Sequence, residues 1–317
     1  MIATVTLNPS LDEWMSLESL RPGRLNRARG FARYPGGKGI NVSRVIHELR
    51  GSTVAFGLAG GEDGLILREL LNRRSIRHVL VNVAGVTRNN YKIRTARPPA
   101  VTEINTAGPT VSAAVLRALE RRLVRWSPRP LCVALSGSLP PGAPARIYRR
   151  WIALLRRRRI PVALDASGDA LRHGVAARPW LIKPNREEAE ALVGRSLATH
   201  RRCVAAVREL ARRGPTVTIL SLGRDGALLG LRDGHARGTV SVWRGRAPAV
   251  RVNSAVGAGD SLVGGGLSSW VRSHDVLEAF RLGMACGAAT AMTPGTELCH
   301  RRDVRRLLRR VTIRRVR

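Results

Sequence analysis

The sequence has few of the residues that mark several common protein classes. Its 317 residues include four cysteines, whose wide spacing fits neither a disulfide framework nor a zinc site: Cys132, Cys203, Cys286 and Cys299. Aromatic residues make up only 4%, which is little material for the platforms on which nucleic-acid bases stack. No apolar run is long enough to cross a membrane, and the N-terminus lacks the basic start of a secretory signal. We therefore expect a cytoplasmic protein with reduced, buried thiols.

Acidic residues are also scarce. The chain has 22 acidic and 55 basic residues, which gives a formal net charge of +33. Such a charge raises nucleic-acid binding as a hypothesis. The arginines, however, are spread along predicted helices and loops, and the densest runs, at 156–159 and 305–310, contain no aromatic residue. This pattern favours a general bias towards arginine, with nucleic acid bound only non-specifically.

Lysine is the rarest charged residue. Only three of the basic residues are lysines, namely Lys38, Lys92 and Lys183, and the other 52 are arginines. An ammonium group is a compact point charge that a planar guanidinium does not replace. The three lysines therefore indicate positions where a compact charge is needed.

Strand-like and helix-like segments alternate along the chain. This alternation, with 44% apolar residues, predicts one α/β domain over 1–317 in which helices cover a mainly parallel sheet. The predicted strands are 2–7, 53–57, 77–82, 131–136, 161–165, 179–183 and 216–221, with short antiparallel strands in 226–252. The predicted helices are 39–50, 63–73, 111–125, 144–156, 185–193, 201–213, 259–272, 276–293 and 302–309.

Two segments, about 12–35 and 86–106, interrupt the alternation with strand-like pieces and no helix. We expect them to form a small sheet over the main one. Side chains alternate between the two faces of a strand, so Arg88, Asn90 and Lys92 should share one face.

The strongest local motif is V-G-A-G-D-S at 256–261. The small residues Gly257, Ala258 and Gly259 let a ligand approach the backbone, and the free N–H groups of a helix start bind anions. Asp260 follows at once, where a carboxylate would repel a phosphate unless it had a task such as accepting a proton. The alternative is an aspartate that merely caps the helix.

Three further motifs each have a structural explanation as well as a functional one. P-G-G-K-G-I-N-V at 35–42 places glycines before a helix, and a tight turn would also explain it. S-L-G-R-D-G-A at 221–227 reads as a hairpin signal. K-P-N-R-E-E at 183–188 contains Asn185 and Glu188 at the spacing of a capping box.

Taken together and in order, the motifs resemble those of the ribokinase-type (PfkB) carbohydrate kinases, in the branch that acts on sugar phosphates. The matching segments span the whole chain: T-L-N-P-S-L-D at 6–12, G-G-K-G-I-N-V-S-R at 36–44, T-R at 87–88, T-E-I-N at 102–105, S-G-S-L-P-P-G at 136–142, D-A-S-G at 165–168, K-P-N, S-L-G-x-D-G-A and G-A-G-D-S. Within the branch, the motifs are most similar to those of bacterial 1-phosphofructokinases.

The resemblance implies a ribokinase-like three-layer sandwich with a mainly parallel central sheet and a small β-sheet lid. It implies ATP-dependent phosphorylation of a sugar phosphate, with fructose 1-phosphate as the first candidate. Tagatose 6-phosphate or fructose 6-phosphate is the alternative acceptor. A nucleic-acid-binding protein on a degenerate kinase fold is the remote alternative, because function resides in sites and not in folds.

The resemblance also assigns roles to individual residues. Asp260 is the expected base, and the backbone of Gly257, Ala258 and Gly259 is expected to stabilise the transferring phosphoryl group. The expected ligands of the sugar phosphate are Asp12, Gly37, Lys38, Asn41, Arg88, Asn90 and Lys92. Those of ATP are Lys183, Asn185, Ser221, Gly223, Gly226, Gly257, Gly259 and Gly287. Glu188 is expected to organise Mg²⁺ around ATP, with no tightly bound organic cofactor, and the lid sheet is expected to pair two subunits in a homodimer.

Overall fold

The fold is built on one large sheet and one small sheet, seen in a computed structural model that describes residues 1–233 and 239–316. The strands are β1 Ile2–Thr6, β2 Ser10–Leu17, β3 Gly30–Gly36, β4 Thr53–Ala59, β5 His78–Asn82, β6 Arg88–Ala96, β7 Pro99–Asn105, β8 Cys132–Ser136, β9 Val162–Asp165, β10 Leu181–Ile182, β11 Val217–Ser221, β12 Ala227–Arg232, β13 Val240–Arg246 and β14 Thr312–Val316. The helices are α1 Lys38–Glu48, α2 Gly61–Arg73, α3 Ala113–Val124, α4 Ile147–Arg157, α5 Gly168–Ala176, α6 Arg186–Val193, α7 His200–Arg212, α8 Ala258–Ser273, α9 Val276–Ala291 and α10 Arg301–Leu308.

The large sheet has ten strands in the order β14-β13-β12-β11-β10-β9-β8-β1-β4-β5. From β11 to β5 all neighbours are parallel, whereas β12, β13 and β14 are added antiparallel at the other edge. In a sheet of this kind, ligands bind at the carboxyl ends of the parallel strands. The loops that follow β1, β9, β10 and β11 therefore mark the expected location of a site.

Helices cover both faces of the large sheet. Alternate residues of β1 point to opposite sides, since Ala3 and Val5 pack with α3, α4 and α7, whereas Ile2 packs with α1, α8 and α9. The largest fully buried side chain is Trp151 of α4, which lies in the first of these two layers. Helix, sheet and helix thus form the three layers that the sequence predicts.

The small sheet has four strands in the order β3-β2-β6-β7. Its central pair, β2 and β6, is parallel, and β3 and β7 are antiparallel to their neighbours. The two segments predicted as a lid, 12–35 and 86–106, supply all four strands, although β2 starts two residues earlier, at Ser10. We call this sheet the lid.

The structure differs from the sequence-based prediction in two elements. Helix α5 was not predicted, because its segment has only nine residues and opens with a Gly–Asp pair typical of turns. Strand β14 was not predicted either, because an edge strand with two exposed arginines lacks an apolar signal. Within the predicted hairpin region 226–252, residues 234–238 lie outside the described residues.

None of the described helices combines the length and the apolar character needed to span a membrane.

Candidate active site

The amino end of helix α8 lies at the centre of the candidate site. Gly257 caps this helix in the left-handed conformation, with φ of +78°, and no side chain of the described residues caps its first turn. A β-carbon at Gly257 would also press on Leu298. The glycine is therefore needed both for the turn and for the close packing behind it. The result is an uncovered helix start that favours an anion.

Asp260 lies in this first turn and is almost fully buried. Its Oδ2 accepts a hydrogen bond of 2.8 Å from Asn41 Nδ2. Burial, together with the negative charge of Asp165, raises the pKa of Asp260 from its ordinary value of 3.8 to about 6, although Lys38, Asn41 and Lys183 act in the opposite direction. A carboxylate with this pKa is a better base than an exposed one, because the proton it accepts is held more firmly.

Asp165, at the end of β9, is held between two lysines. Lys38 Nζ lies 3.1 Å and Lys183 Nζ 3.4 Å from Asp165 Oδ1. Burial alone would raise the pKa of Asp165, but the two ammonium groups outweigh it and keep the pKa below its usual range. Burial by itself would lower the pKa of Lys38, but the carboxylates of Asp165, Asp260 and Glu188 outweigh burial and raise this pKa.

Lys183 connects this ion pair with the start of α8. A β-carbon built on Gly259 would come within 3.3 Å of Lys183 Nζ, so the ammonium group stands directly beside the helix start. Lys183 follows the short strand β10 and its side chain is buried. A fixed positive charge and the amino end of a helix therefore converge on one point.

Asn185 and Glu188 form a capping box at the start of α6. Asn185 Oδ1 accepts from the Glu188 backbone at 2.8 Å, and Glu188 Oε2 accepts from the Asn185 backbone at 2.9 Å. The other carboxylate oxygen of Glu188, Oε1, lies 3.9 Å from Lys38 Nζ. The structural explanation of this motif is thus correct, and it leaves one oxygen of Glu188 facing the site.

The Gly-rich turn after β11 borders the site beyond α6. Ser221 bonds through its backbone N–H to Pro184 O at 3.0 Å, which brings the turn alongside Asn185. Gly223 and Gly226 both have positive φ, of 60° and 90°. A β-carbon at Gly226 would overlap Gly245 O, whereas the space around Gly223 is open.

Gly287 of α9 flanks the start of α8 from the other side. A β-carbon there would lie 3.1 Å from Ala258 O. The small residue keeps α9 close to the helix start.

The lid contributes a second polar cluster around Asp12. Lys92 Nζ lies 2.7 Å from Asp12 Oδ2, and Asp12 Oδ1 accepts from Ser10 Oγ at 2.9 Å and from Asn90 Nδ2 at 3.1 Å. All four side chains are buried. Arg88, on the same face of β6, is half-buried, and its Nε donates to Asn8 O at 3.2 Å. Burial lowers the pKa of Arg88, although Asp12 acts against this.

Two glycines join the lid to α1. A β-carbon at Gly36 would overlap the carboxylate of Asp12. Gly37, with φ of +107°, is in a conformation that favours glycine. The chain then enters α1 at Lys38. Gly36, which lies against Asp12, is thus followed after one residue by Lys38, which pairs with Asp165.

The structure brings the residues predicted from the sequence into these two adjoining clusters and the loops that border them. Asp165 was not predicted as a site residue, although D-A-S-G at the end of a predicted buried strand was the available signal. Ser10 was also missed, because nothing in the sequence distinguishes it from other strand serines. Within the described residues, no group of three or more His, Cys, Asp or Glu side chains is placed to hold a metal ion by itself.

Comparison with known proteins gives consistent matches over the whole chain. The family model described as "pfkB family carbohydrate kinase" matches residues 5–302. The chain is 34% identical to 1-phosphofructokinase of Bacillus subtilis, covering 94% of this chain and 95% of the relative. It is 36% identical to ATP-dependent 6-phosphofructokinase isozyme 2 of Mycobacterium tuberculosis, covering 96% and 88%.

The fold is also similar to that of phosphofructokinase-2 from Escherichia coli. That protein has been solved in complex with substrates and products and in a tetrameric inhibited form, and the TM-scores are 0.90 and 0.88. In both cases the identity is 30% and the match covers 98% of each chain.

The two buried carboxylates predict stability effects of opposite sign. Because folding raises the pKa of Asp260 from 3.8 to about 6, its ionised form destabilises the fold by about 2–3 kcal/mol at neutral pH. This penalty grows between pH 4 and 6 and is complete above pH 6. Asp260→Asn should therefore raise the unfolding midpoint at pH 7.5 and leave it nearly unchanged at pH 4, as followed by thermal unfolding.

Asp165→Asn is the matched control. The pKa of Asp165 is lowered by folding, so its charge stabilises the protein above its ordinary pKa. Removing that charge leaves Lys38 and Lys183 without a buried partner, and we expect a loss of about 3–5 kcal/mol at pH 7.5. A midpoint that moves in the same direction in both variants would contradict this account of the two carboxylates.

Proposed function

The chain belongs to the pfkB family of carbohydrate kinases, and on that premise we propose that it transfers the terminal phosphoryl group of ATP to fructose 1-phosphate, forming fructose 1,6-bisphosphate. Membership of the family makes it an ATP-dependent sugar kinase. The choice of acceptor is supported by relatives named 1-phosphofructokinase, at 30–35% identity.

One observation carries the proposed chemistry, namely a buried carboxylate with a raised pKa in the first turn of an uncapped helix. Asp260 accepts the proton of the attacking sugar hydroxyl. The backbone N–H groups of Gly257, Ala258 and Gly259 stabilise charge on the phosphoryl group during transfer. Lys183, beside Gly259, adds a positive charge at the same point. Base and phosphoryl site thus lie on one short segment, which holds the attacking hydroxyl close to the phosphoryl group.

Magnesium is expected with ATP, and the residues present fit it. Asp165 Oδ2 is buried and has no hydrogen-bond partner among the described residues. Glu188 Oε1 lies near Lys38, the lysine that also pairs with Asp165 Oδ1. Mg²⁺ is usually held by one or two carboxylates together with substrate phosphates, so two carboxylates suffice here. Asp165 and Glu188 would hold the ion, which would neutralise phosphate charge when bound. Asn185, Ser221, Gly223, Gly226 and Gly287 would line the nucleotide on this side.

The lid supplies the sugar-phosphate side. Asp12 would bind sugar hydroxyls, with Lys92 and Asn90 holding its carboxylate in place. Arg88 donates to the backbone oxygen of Asn8 and forms no ion pair with a carboxylate among the described residues, so its charge is available for the phosphate that the sugar already carries. Gly37, Lys38 and Asn41 would border the sugar from the large sheet. A buried phosphate dianion needs such cations, whereas a free hydroxymethyl group does not.

A coupled ADP-release assay tests the proposed function. Fructose 1-phosphate, fructose 6-phosphate and tagatose 6-phosphate would be compared by kcat/KM at saturating Mg-ATP. We expect the highest value with fructose 1-phosphate. A preference for fructose 6-phosphate would favour the second candidate, which the 36% identity to a 6-phosphofructokinase supports. Absence of turnover with all three would overturn the proposal.

Asp260→Asn should lose most of its turnover. The amide keeps the size of the side chain but is not a base, and general-base loss costs about 100- to 10,000-fold in kcat. In the native enzyme, kcat/KM should fall as the pH drops below about 6, because the carboxylate then becomes protonated. The KM for ATP should change little, since backbone groups bind the phosphates. Turnover within tenfold of the native enzyme would remove Asp260 from the role of base.

Arg88→Ala should weaken sugar-phosphate binding selectively. Loss of a charge-assisted hydrogen bond predicts a KM for fructose 1-phosphate that rises about 10- to 100-fold, with the KM for ATP nearly unchanged. Arg97→Ala is a matched control, because Arg97 is an exposed lid arginine with 87% of its side chain accessible. Equal increases in both KM values would instead indicate a misfolded lid.

A homodimer through the lid is also proposed, on the basis of the outer face of this sheet. Met15 pairs with Phe31 on one side and with Ile93 on the other, and Tyr91 pairs with Ile104. These residues share the face opposite Asn90 and Lys92. Phe31 and Ile104 are 57% and 51% exposed. A contiguous apolar face of this kind is typical of an interface between subunits.

The double change Phe31→Arg with Ile104→Arg should convert the dimer to a monomer, because it places four charges in a two-fold interface. Leu131→Arg is the control, since Leu131 is 54% exposed and precedes β8, at the amino ends of the parallel strands of the large sheet. Sedimentation equilibrium measures both. A native monomer, or a dimer that withstands the double change, would exclude the lid as the interface.

A further inference from the structure

Arg44 is a buried arginine that the proposed reaction does not use. It lies on α1, one turn after Asn41, and is 9% exposed. Its guanidinium donates to three oxygens, namely Asn41 Oδ1 at 3.0 Å, Pro35 O at 3.3 Å and Thr296 O at 3.2 Å. All three acceptors are neutral, and within the described residues no carboxylate forms an ion pair with Arg44.

A buried guanidinium without a carboxylate is unfavourable for stability. Burial, with a contribution from the nearby charge of Arg74, lowers the pKa of Arg44 to about 10, although Asp12 and other groups act against this. The side chain nevertheless stays charged at neutral pH. Its charge also faces the ring of Tyr34 at 5.8 Å. A neutral apolar side chain would suit this position better if packing were its only task.

The contact with Asn41 gives Arg44 a directional effect on the base. A guanidinium only donates hydrogen bonds, so the Asn41 atom that faces Arg44 must be the oxygen. The NH₂ group of Asn41 must then point the other way, where it donates to Asp260 Oδ2. If the amide were reversed, two donors would meet at Arg44 and two oxygens at Asp260.

The two hydrogen bonds that Arg44 donates to backbone oxygens connect its guanidinium to the lid. Pro35 is the second-to-last residue of the lid strand β3, immediately before Gly36 and Gly37. Thr296 lies in the segment after α9, where a β-carbon built on the neighbouring Gly295 would lie 3.3 Å from Trp14, a lid residue. Arg44 therefore joins the end of the lid, the segment beneath Trp14 and the amide that contacts the base.

We propose that Arg44 is a positioning residue that fixes the amide of Asn41 towards Asp260 and thereby orients the base. This inference rests on the proposed function, because it assigns Asp260 the role of base. It adds a residue that acts through Asn41 and touches neither ATP nor sugar.

The acid limb of the pH–rate profile reports on this contact. The charged and titratable groups that act on Asp260 are Asp165, Lys38 and Lys183, and the Asn41 amide stabilises the ionised form. Loss of a fixed Asn41 should therefore make Asp260 easier to protonate. The limb should move to higher pH by about half to one pH unit, the equivalent of one hydrogen bond.

Arg44→Met tests the proposal, because it keeps an unbranched apolar stem like that of arginine and removes all the donors. We expect kcat to fall about 10- to 100-fold, the acid limb to move to higher pH, and the KM for ATP to stay within about threefold. Arg74→Met is the matched control, because Arg74 contacts the same Tyr34 ring at 6.0 Å and has no hydrogen bond to Asn41. Its profile should coincide with that of the native enzyme.

A double-mutant cycle shows whether Arg44 acts through Asn41. In an Asn41→Ala background, Arg44→Met should cause no further movement of the acid limb. An equal movement with and without Asn41, or an unchanged limb in folded Arg44→Met, would overturn the proposal. If Arg44→Met does not fold, as judged by thermal unfolding, Arg44→Gln takes its place, because one amide group cannot serve three oxygens at once.

The native enzyme separates this test from the proposed function. If it phosphorylates none of the three sugar phosphates, the proposed function fails and this inference fails with it. If the native enzyme is active and Arg44→Met keeps its kcat and acid limb, only the role of Arg44 is wrong.

Discussion

The site depends on the ion pairs that Asp165 makes with Lys38 and Lys183. One lysine beside the buried Asp165 would be neutralised by it and would leave no positive charge at the start of α8. Two lysines keep Asp165 ionised, and their net positive charge remains for a phosphate. The negative charge thus fixed next to Asp260 helps to raise the pKa of the latter. One carboxylate is therefore held firmly ionised so that its neighbour can take up a proton, which is how a pair of carboxylates divides two roles.

The second constraint is the distance between backbone segments. Gly36 cannot carry a β-carbon because Asp12 lies against it, and Gly226 cannot because Gly245 O does. Gly257 must adopt positive φ for α8 to begin where it does. At each of these positions the absence of a side chain brings a functional group or a loop into place. Replacement of such a glycine would displace the groups around it and not merely add a methyl group.

Much of the fold could be predicted from the sequence, because its signals are local. The alternation of strands and helices predicts the three layers. Glycines and capping residues at the starts of helices form recognisable motifs, namely G-A-G-D-S, G-G-K-G-I-N and K-P-N-R-E-E. Other features depend on residues far apart in the chain. Asp165 becomes part of the site only because β9 ends between Lys38 and Lys183, and Arg44 meets Thr296 across 252 positions. No periodicity records such contacts. Short elements such as α5, and edge strands such as β14, also leave too little pattern to predict from the sequence.

The distribution of basic residues separates the site from the surface. Each of the three lysines has its ammonium group within 3.4 Å of a carboxylate, and two of them are buried. This agrees with the expectation that lysine persists where a compact charge is needed. Lys38 and Lys183 approach one oxygen of Asp165 together, which two broad guanidinium groups could hardly do. Arg44 makes the opposite use of shape, since two nitrogens of its planar fork donate to three separate oxygens. In a chain with 52 arginines, the geometry of the surrounding acceptors thus accounts for whether a buried cation is lysine or arginine. The arginines at 156–159 are exposed to solvent, where either residue would serve.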